Sequence, residues 1–479
     1  MENNIIKTTI STRGYGLLKS EFDFKVLNSI KDELTVTPKT MNSFSTPVSY
    51  KIYQEGKKKL YIPKYYGLQK FGLPDKNKLP ESVDIDLKFN GELRDNQKKP
   101  VKAFIDACNN EIKTGGLINL ACAAGKTVMS LYIVSKLQKK TLVIVHKDFL
   151  LKQWKERIEQ FLPDAKVGLV KAKVIDIENK DIVMGSLQSL AMKDYDKGTF
   201  DEFGLVICDE VHNFAAEVFS RALQKINCKH SLGLSATITR KDGLSKVFKW
   251  HLGDIVFKSN KKKVENVDVV CYEYFVDDLT YSDECKLFNN KPNMSRMINN
   301  ICDYEPRTDK IIDIIKDLKN KDKNRNLLVL SDRRNHLLEI KNKLDNLNIG
   351  IPGFYVGGMS DVQLKDSEDN CDILLGTFSM ASEGLDISKL DTVLLASPRS
   401  NIQQSVGRIL RKKEEDRVYV PLIIDIIDYF SLFINQGNKR RKYYTKCNYN
   451  IKLVKCELHY NENNIKNMFN QGKCLIKNK

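Results

Sequence analysis

The triplet Gly125-Lys126-Thr127 follows an apolar run and precedes a helical pattern, and its residue types suit the binding of phosphate. Small residues let backbone N–H groups turn inward around an anion, and the dipole of the following helix adds to the attraction. Lys126 can neutralise the β- and γ-phosphate oxygens of a nucleotide, and Thr127 can coordinate its Mg²⁺. Position 120 lacks the first glycine of the strict phosphate-loop pattern. The prediction therefore depends on the position of the triplet between an expected strand and an expected helix. The residues expected to surround the phosphates are Ala123, Ala124, Gly125, Lys126, Thr127 and Val128.

Two adjacent carboxylates, Asp209 and Glu210, end another apolar run, 209 − 126 = 83 residues after Lys126. The carboxyl end of a buried parallel strand is where an α/β ATPase places such groups. Asp209 can belong to the Mg²⁺ shell, and Glu210 can polarise the attacking water. A lone Asp-Glu pair is more often the acidic first turn of a helix. Its order and distance from Lys126 favour one shared catalytic site.

Parallel strands must position these residues, because short apolar runs alternate with helical patterns from about residue 117 onward. Each run is almost continuously apolar or β-branched, as expected of a strand buried on both faces. Alternation of strands and helices predicts parallel sheets. The predicted strands are 117–121, 141–145, 181–184, 205–208, 231–234, 326–330, 353–356, 372–375 and 392–396. The helical patterns include 128–138, 149–161, 308–318, 335–347 and 401–411.

Two such series, separated by a polar stretch, predict an α/β protein with two parallel-sheet domains in tandem. The first 90 residues contain short aromatic runs, which predict a small β-rich accessory module. The predicted boundaries are an accessory module at 1–90, a nucleotide-binding domain at 91–258, a linker at 259–300, a second domain at 301–455 and a tail at 456–479.

The composition is that of a globular protein with a strongly basic balance. Apolar residues make up 42% and charged residues 29%, which excludes a long disordered chain and a membrane bundle. Lys plus Arg exceeds Asp plus Glu by 78 − 61 = 17, and this excess favours a polyanionic partner. The 11 cysteines include no C-x-x-C pair, and the chain begins without an apolar signal region. Reduced thiols and an intracellular, reducing compartment are expected.

Taken in order, these motifs resemble those of superfamily 2 DExH-box helicases, specifically the XPB-like branch and the helicases of large DNA viruses, such as the poxvirus transcript-release type. The resemblance covers roughly residues 93–451. It implies that Gln97, with Arg94, reads the adenine base. It also implies that His212 and the Ser235-Ala236-Thr237 triplet couple hydrolysis to domain movement.

The resemblance extends to elements that contact nucleic acid and to a second set of nucleotide ligands. Arg240 and Lys241 lie in a nucleic-acid element, in which Lys241 replaces the glutamate of relatives, and Thr377 is similar to a phosphate-contacting residue of the fifth motif. In the same motif, Gly384 and Asp386 are implied to lie beside ATP.

The run from Gln404 to Arg411 is similar to the sixth helicase motif. By this resemblance Gln404 takes part in coupling, and Arg408 and Arg411 reach across an interdomain cleft to the γ-phosphate. Spaced at i and i+3, the two arginines would share one face of a helix.

The resemblance implies two RecA-like P-loop domains that use ATP and Mg²⁺ to move on or remodel DNA, in transcription or repair. DNA or RNA is the expected partner, with transcription machinery a further one, and a monomer is plausible. For a viral protein, the compartment would be the host cytoplasm or the virion. An RNA helicase or transcript-release factor is the first alternative, since the phosphates of DNA and RNA are the same. The others are the motor of a restriction complex and a nucleic-acid-binding scaffold with a degenerate ATPase.

Overall fold

The computed structural model divides the chain into two compact units, Met1–Asn260 and Lys261–Lys479. The residues that it describes are 6–39, 47–120, 124–237, 240, 242–259, 265–383, 387–412, 414–458 and 467–474. Four predicted site residues lie outside this set, namely Ala123, Lys241, Gly384 and Asp386. Among the described residues, no helix is both long enough and apolar enough to cross a bilayer.

The N-terminal part of the first unit is built around a small sheet. Its strands are β1 (Thr8–Ser11), β2 (Gly14–Leu18), β3 (Thr35–Val36), β4 (Tyr50–Lys51), β5 (Gln54–Glu55), β6 (Lys59–Ile62) and β7 (Lys76–Asn77). Its helices are α1 (Phe24–Glu33) and α2 (Lys64–Phe71). Five strands form one sheet in the order β5-β6-β2-β1-β7, while β3 pairs with β4. A sheet thus occupies the segment for which a β-rich module is predicted.

An eight-stranded sheet forms the rest of the first unit. Its strands are β8 (Gly115–Asn119), β9 (Thr141–Val145), β10 (Val167–Lys171), β11 (Val174–Asp176), β12 (Ile182–Ser186), β13 (Leu205–Cys208), β14 (His230–Ser235) and β15 (Ile255–Lys258). The helices are α3 (Asp95–Cys108), α4 (Lys126–Leu137), α5 (Asp148–Phe161), α6 (Leu187–Met192), α7 (Ala216–Leu223) and α8 (Ser245–Leu252). The strand order is β11-β10-β12-β9-β13-β14-β8-β15. All neighbours are parallel except β10 and β11.

The small sheet shares a hydrophobic core with the large one, through α2. The Lys64 ammonium is buried and donates to the backbone oxygens of Cys228 and Lys229, both at 2.9 Å. Beside it, the Tyr65 hydroxyl lies 2.6 Å from Ser231 Oγ on β14. The N-terminal residues are therefore an integral layer of the first unit.

A second eight-stranded sheet forms the second unit. Its strands are β16 (Asp268–Val276), β17 (Leu327–Ser331), β18 (Pro352–Tyr355), β19 (Ile373–Thr377), β20 (Thr392–Leu395), β21 (Leu422–Asp428), β22 (Asn450–Leu458) and β23 (Asn467–Cys474). The helices are α9 (Leu279–Ser282), α10 (Met294–Asp303), α11 (Glu305–Lys321), α12 (Arg334–Asn346), α13 (Asp361–Asn370), α14 (Phe378–Glu383), α15 (Gln403–Gly407) and α16 (Ser431–Lys446). The order is β18-β19-β17-β20-β21-β16-β22-β23, parallel except for β22 and β23.

The predicted α/β fold with two parallel-sheet, RecA-like domains is confirmed. The nine predicted strands are present, because continuous apolar runs fill the buried centres of both sheets. Residues 259–300, for which the sequence predicts a linker, include β16, which lies between β21 and β22. Buried and partly exposed residues mix along this strand, and Glu273 interrupts its apolar residues. The predicted tail likewise includes the end of β22 and all of β23.

Candidate nucleotide-hydrolysis site

Three predicted motifs converge because their strands are neighbours. β14 lies between β13 and β8, and all three are parallel, so their carboxyl ends lie at one edge of the sheet. The loop before Lys126 follows β8, Asp209 and Glu210 follow β13, and Ser235 ends β14. This edge is where α/β proteins bind ligands.

The backbone conformation of Gly125 and the closeness of Gln97 both disfavour a residue with a Cβ at this position. Its φ is +75°, in the left-handed region, and a Cβ there would lie 2.2 Å from Gln97 Nε2. The buried Gln97 amide donates to Ala124 O (3.3 Å) and accepts from the backbone N of Arg94 (2.9 Å). Gln97 thus joins the start of α3 to the segment that directly precedes α4, and its predicted contact with the adenine base stays a prediction. Thr127 and Val128 follow in the first turn of α4, both partly exposed.

Lys126 and Glu210 form an ion pair, with 2.9 Å between Nζ and Oε1. Lys126 is the first residue of α4 and is buried, while the side chain of Glu210 is 19% exposed. Glu210 has a φ of +50°, an uncommon value for a residue with a Cβ. Such strain persists where the surroundings impose it, and it is frequent at functional sites. The geometry places an acidic and a basic group at the same sheet edge.

Asp209 is buried beside Glu210, and its carboxylate is held by a tryptophan. Trp154 Nε1 donates to Asp209 Oδ2 at 2.8 Å. Burial and the negative charge of Glu210 raise the pKa of Asp209 to about 6, against the opposing effect of Lys126. Sequence reasoning did not identify Trp154, since it occupies an ordinary apolar position of α5. Only the fold brings it to a residue 55 positions away.

His212 connects the carboxylates to the triplet that begins at Ser235. His212 Nδ1 lies 3.2 Å from Glu210 Oε2 and 3.1 Å from Ser235 Oγ. Ser235 Oγ also accepts from the backbone N of Thr237 at 3.3 Å, which closes a turn around Ala236. Burial lowers the pKa of His212, so its ring is neutral at physiological pH. The structure therefore brings His212 together with the Ser235–Thr237 triplet, whereas Gln404, the other residue predicted to take part in coupling, lies on α15 of the second unit.

The guanidinium of Arg240 is engaged by groups of its own unit. It donates to the backbone oxygens of His212 (2.8 Å) and Phe214 (2.6 Å) and forms a two-pronged pair with Asp242 at 2.5–3.1 Å. These contacts fix the segment that follows β13. They give Arg240 a structural role, and its predicted contact with nucleic acid stays a prediction.

In the second unit, the predicted motif residues lie at carboxyl ends of strands and in the turn after α15. Thr377 ends β19, and its hydroxyl accepts from Met380 N at 3.5 Å. The helix predicted for 401–411 is shorter, because α15 ends at Gly407, a residue of low helix propensity, and a 3₁₀ turn covers Arg408–Leu410. Arg408 is buried, and its Nε donates to Ala381 O at 2.6 Å. Gln404 lies on α15, and Arg411 follows the turn, both partly exposed.

The donor set fits Mg²⁺ that arrives with a nucleotide. Among the described residues, no group of three or more His, Cys, Asp and Glu side chains is placed to hold a metal. Mg²⁺ is usually bound by one or two carboxylates together with waters and substrate phosphates, rather than by a protein cage. Asp209 at the end of β13 and Thr127 in the first turn of α4 supply the kinds of oxygen that such a site uses.

Two parallel-sheet domains, the first with a phosphate loop, define the class of ATPases built from tandem RecA-like domains. The model of the family "Type III restriction enzyme, res subunit" matches residues 90–240. A protein of Acanthamoeba polyphaga mimivirus, L396, whose name assigns it as an ATP-dependent RNA helicase, is 37% identical over 464 residues, which are 94% of this chain and 87% of that protein.

Two further relatives extend the comparison. A protein of Invertebrate iridescent virus 6, named as helicase 161L, is 29% identical over 393 residues, which are 78% of this chain and 85% of that one. The DNA 3'-5' translocase XPB2 of Sulfurisphaera tokodaii is 31% identical over 215 residues, which are 44% of this chain and 46% of XPB2. The chain therefore belongs to the superfamily 2 helicases, in the group found in large DNA viruses. It is an ATP-hydrolysing helicase.

Proposed function

We propose that this helicase hydrolyses ATP to move along or remodel DNA, in transcription or repair. The observation that carries the proposal is the continuous path Lys126–Glu210–His212–Ser235, whose steps are 2.9, 3.2 and 3.1 Å. A change of charge at the bound phosphates would alter the Lys126–Glu210 pair first. Through His212, that change would reach the turn at Ser235–Thr237. A nucleotide-dependent motion would start there.

The predicted nucleotide-site residues of the first unit each have a role within this proposal. Lys126 and the backbone of 123–128 would hold the phosphates, while Thr127 and Asp209 would hold Mg²⁺. The metal would supply positive charge against the phosphate oxygens. Glu210 would orient the attacking water and accept its proton. Arg94 and Gln97 would recognise the base.

The second unit would supply the remaining parts. Arg408 and Arg411 would neutralise charge on the transferring phosphoryl group, with Gly384 and Asp386 near the nucleotide and Gln404 taking part in coupling. In comparable enzymes such an arginine is worth about 10³–10⁵ in rate. The nucleic-acid contacts proposed are those of Arg240, Lys241 and Thr377.

DNA is the proposed substrate, and RNA is the second candidate. The net charge of +17 supports a polyanionic partner of either kind. The name of the relative XPB2 points to DNA, whereas the name of the mimivirus relative points to RNA. A reducing compartment is also proposed, because the nine cysteines whose side chains the structure describes are all free thiols.

The deciding experiment measures ATP turnover with single-stranded DNA, duplex DNA and RNA in parallel, at rising salt. We expect DNA to stimulate ATP turnover most. We also expect this stimulation to weaken as salt rises, because salt weakens contacts to phosphates. Stimulation by RNA alone would establish the second candidate. Turnover that no nucleic acid stimulates would contradict both.

Arg408→Ala should lower kcat by about 10³-fold while leaving nucleotide affinity nearly unchanged.

A further inference from the structure

Two buried arginines hold the segment that leads from β20 to α15. Arg307 Nη1 donates to Ala396 O at 2.7 Å, and Arg440 Nη1 donates to Arg399 O at 2.6 Å. Arg307 is 0% exposed and Arg440 is 2% exposed. The two carbonyl groups mark the beginning and end of residues 396–399, which we name the anchor segment. α15 starts four positions later, at Gln403.

One strand supplies the counter-charge of both arginines. Arg307 forms a bidentate pair with Asp428 at 2.6 and 3.1 Å, and Arg440 Nε lies 2.9 and 3.0 Å from the two oxygens of Asp425. Both carboxylates are buried on β21. Each also accepts a bond from a buried tyrosine, Tyr281 on Asp428 at 2.6 Å and Tyr444 on Asp425 at 2.9 Å.

Such pairs are poor candidates for simple stabilisers of the fold. Removing two charges from water is unfavourable, and well-packed apolar residues often replace a buried ion pair without loss of stability. A guanidinium does what an apolar residue cannot, because its planar fork binds a carboxylate and a carbonyl oxygen together in fixed directions. Here each guanidinium bonds both a carboxylate of β21 and a carbonyl oxygen of the anchor segment, and so it fixes the anchor segment relative to β21.

Residues that follow β17 and β19 also contact the anchor segment. Ser397 Oγ accepts from Asp332 N at 2.8 Å, at the carboxyl end of β17. The Arg399 guanidinium lies 3.3 Å from the Asp332 carboxylate and 5.5 Å from the centre of the Phe378 ring. Phe378 is the first residue of α14, directly after Thr377.

We infer that Arg307 and Arg440 are positioning residues for Arg408 and Arg411. They set the direction in which the chain enters α15 and therefore the place of the arginines that follow it. The inference rests on the proposed role of Arg408 and Arg411 at the transferring phosphoryl group. A misplacement of about 1 Å at a reacting centre can cost on the order of 10²-fold in rate.

The test uses Arg307→Lys and Arg440→Lys in the full chain. Lysine keeps the charge beside the aspartate but has no planar fork to reach the carbonyl oxygen as well. The matched control is Arg325→Lys. Arg325 is a buried arginine of the same unit that bonds Asp322, Thr392 Oγ1 and Val420 O, at the amino ends of β20 and β21 and away from the anchor segment.

We expect a fall in kcat of about tenfold to a hundredfold in both test variants, with KM for ATP and nucleotide affinity within about twofold of the parent. Arg325→Lys should lower Tm by a similar amount and leave kcat unchanged. Equal kcat in all three variants, with similar losses of Tm, would overturn the inference. So would a loss of kcat in Arg325→Lys as large as in the test variants.

A combined variant separates positioning from a general defect. In a background that carries both Arg408→Ala and Arg411→Ala, Arg440→Lys should cause no further fall in kcat, because residues that act through one another are not additive. Independent, multiplying losses would contradict the inference. If Arg408→Ala alone leaves kcat unchanged, the proposed role of Arg408 fails instead. The single test variants then still report whether the anchor segment matters.

Discussion

At the scale of single residues, the candidate site is a set of ionisable groups that fix one another's charge. Lys126 pairs with Glu210, and Glu210 also meets His212, whose ring is neutral because it is buried. Asp209 lies beside them in a buried place, with one bond from Trp154. Changing one member alters the field on the others, so conservative substitutions are the informative ones.

Glu210→Gln should reduce kcat by at least about 10²-fold and leave ATP bound, because Lys126 keeps its charge while the general base is lost. Steady-state turnover and nucleotide affinity measure the two effects. Lys126→Ala should lose turnover as well, with weaker nucleotide binding. Glu217→Gln is the control, since Glu217 is an exposed carboxylate on α7 that pairs with Arg221. Normal turnover in Glu210→Gln would remove Glu210 from the mechanism.

Trp154→Phe should keep the packing of α5 but leave the buried Asp209 carboxylate without its indole donor. A lost bond to a buried charged group costs about 1–3 kcal/mol, which chemical denaturation of the variant should reveal. Affinity for Mg²⁺·ADP should also fall, as measured by calorimetry. Trp250→Phe is the control, because Trp250 makes an edge contact with Tyr66 instead. Equal Mg²⁺·ADP affinity in both variants would argue against a role for Trp154 at Asp209.

At the scale of elements, function depends on which strands are neighbours and on what holds their ends. Three motifs meet because β13, β14 and β8 are adjacent and parallel. α2 contacts the sheet at the amino end of β14, where Lys64 donates to the backbone oxygens of Cys228 and Lys229 and the Tyr65 hydroxyl lies beside Ser231 Oγ. The N-terminal residues therefore contribute to the stability of the sheet that carries the site.

Lys64→Met should lower the free energy of unfolding of the first unit by about 1–3 kcal/mol, because the carbonyls of Cys228 and Lys229 lose a buried donor. The control is Lys70→Met on the same helix. The Lys70 side chain is 38% exposed and pairs with Glu33, so its loss should cost less than about 1 kcal/mol. Urea titration compares the two variants. A larger loss in Lys70→Met would contradict the docking role of α2.

At the scale of the whole molecule, the distribution of buried ionisable groups sets the response to pH. Besides His212, burial lowers the pKa of three further histidines, His230 to about 4 and both His251 and His336 to about 3. His230 and His251 belong to the first unit and His336 to the second. In the unfolded chain the same rings take up a proton near pH 6.5. Acid therefore favours the unfolded state of both units.

The stability contributed by neutral histidines should be complete above about pH 7 and should fall as the pH drops from about 6.5 toward 4. Each histidine accounts for at most about 1.4 kcal/mol per pH unit in that window. Tm measured from pH 7.5 to 4.5 should therefore decline more gently in His251→Leu than in the parent protein. Parallel curves for the two proteins would contradict this, because they would mean that His251 has the same pKa in the folded and unfolded states.

Sequence alone determined the class of fold and most of the candidate site. Apolar runs gave nine strands of the two large sheets, because strands buried on both faces tolerate little else, but they did not give the central strand β21 of the second sheet. The strand–loop–helix context of Lys126 and the carboxylates after β13 were readable because such sites lie in short contiguous segments. Strand β16 was not predicted, although most of its residues are apolar, because Asp268 and Glu273 interrupt them and the flanking residues 259–266 are mostly polar or charged.

Only the tertiary structure decided which residues support these motifs. Trp154 reaches Asp209 across 55 positions, and Arg307 reaches Asp428 across 121. No local sequence pattern indicates either pair. The residue type at each of these positions depends on the contact with a partner distant in the sequence, and not on neighbouring residues in the chain. Sequence spacing predicts chemistry within one loop, whereas the packing of strands and helices decides what holds that loop in place.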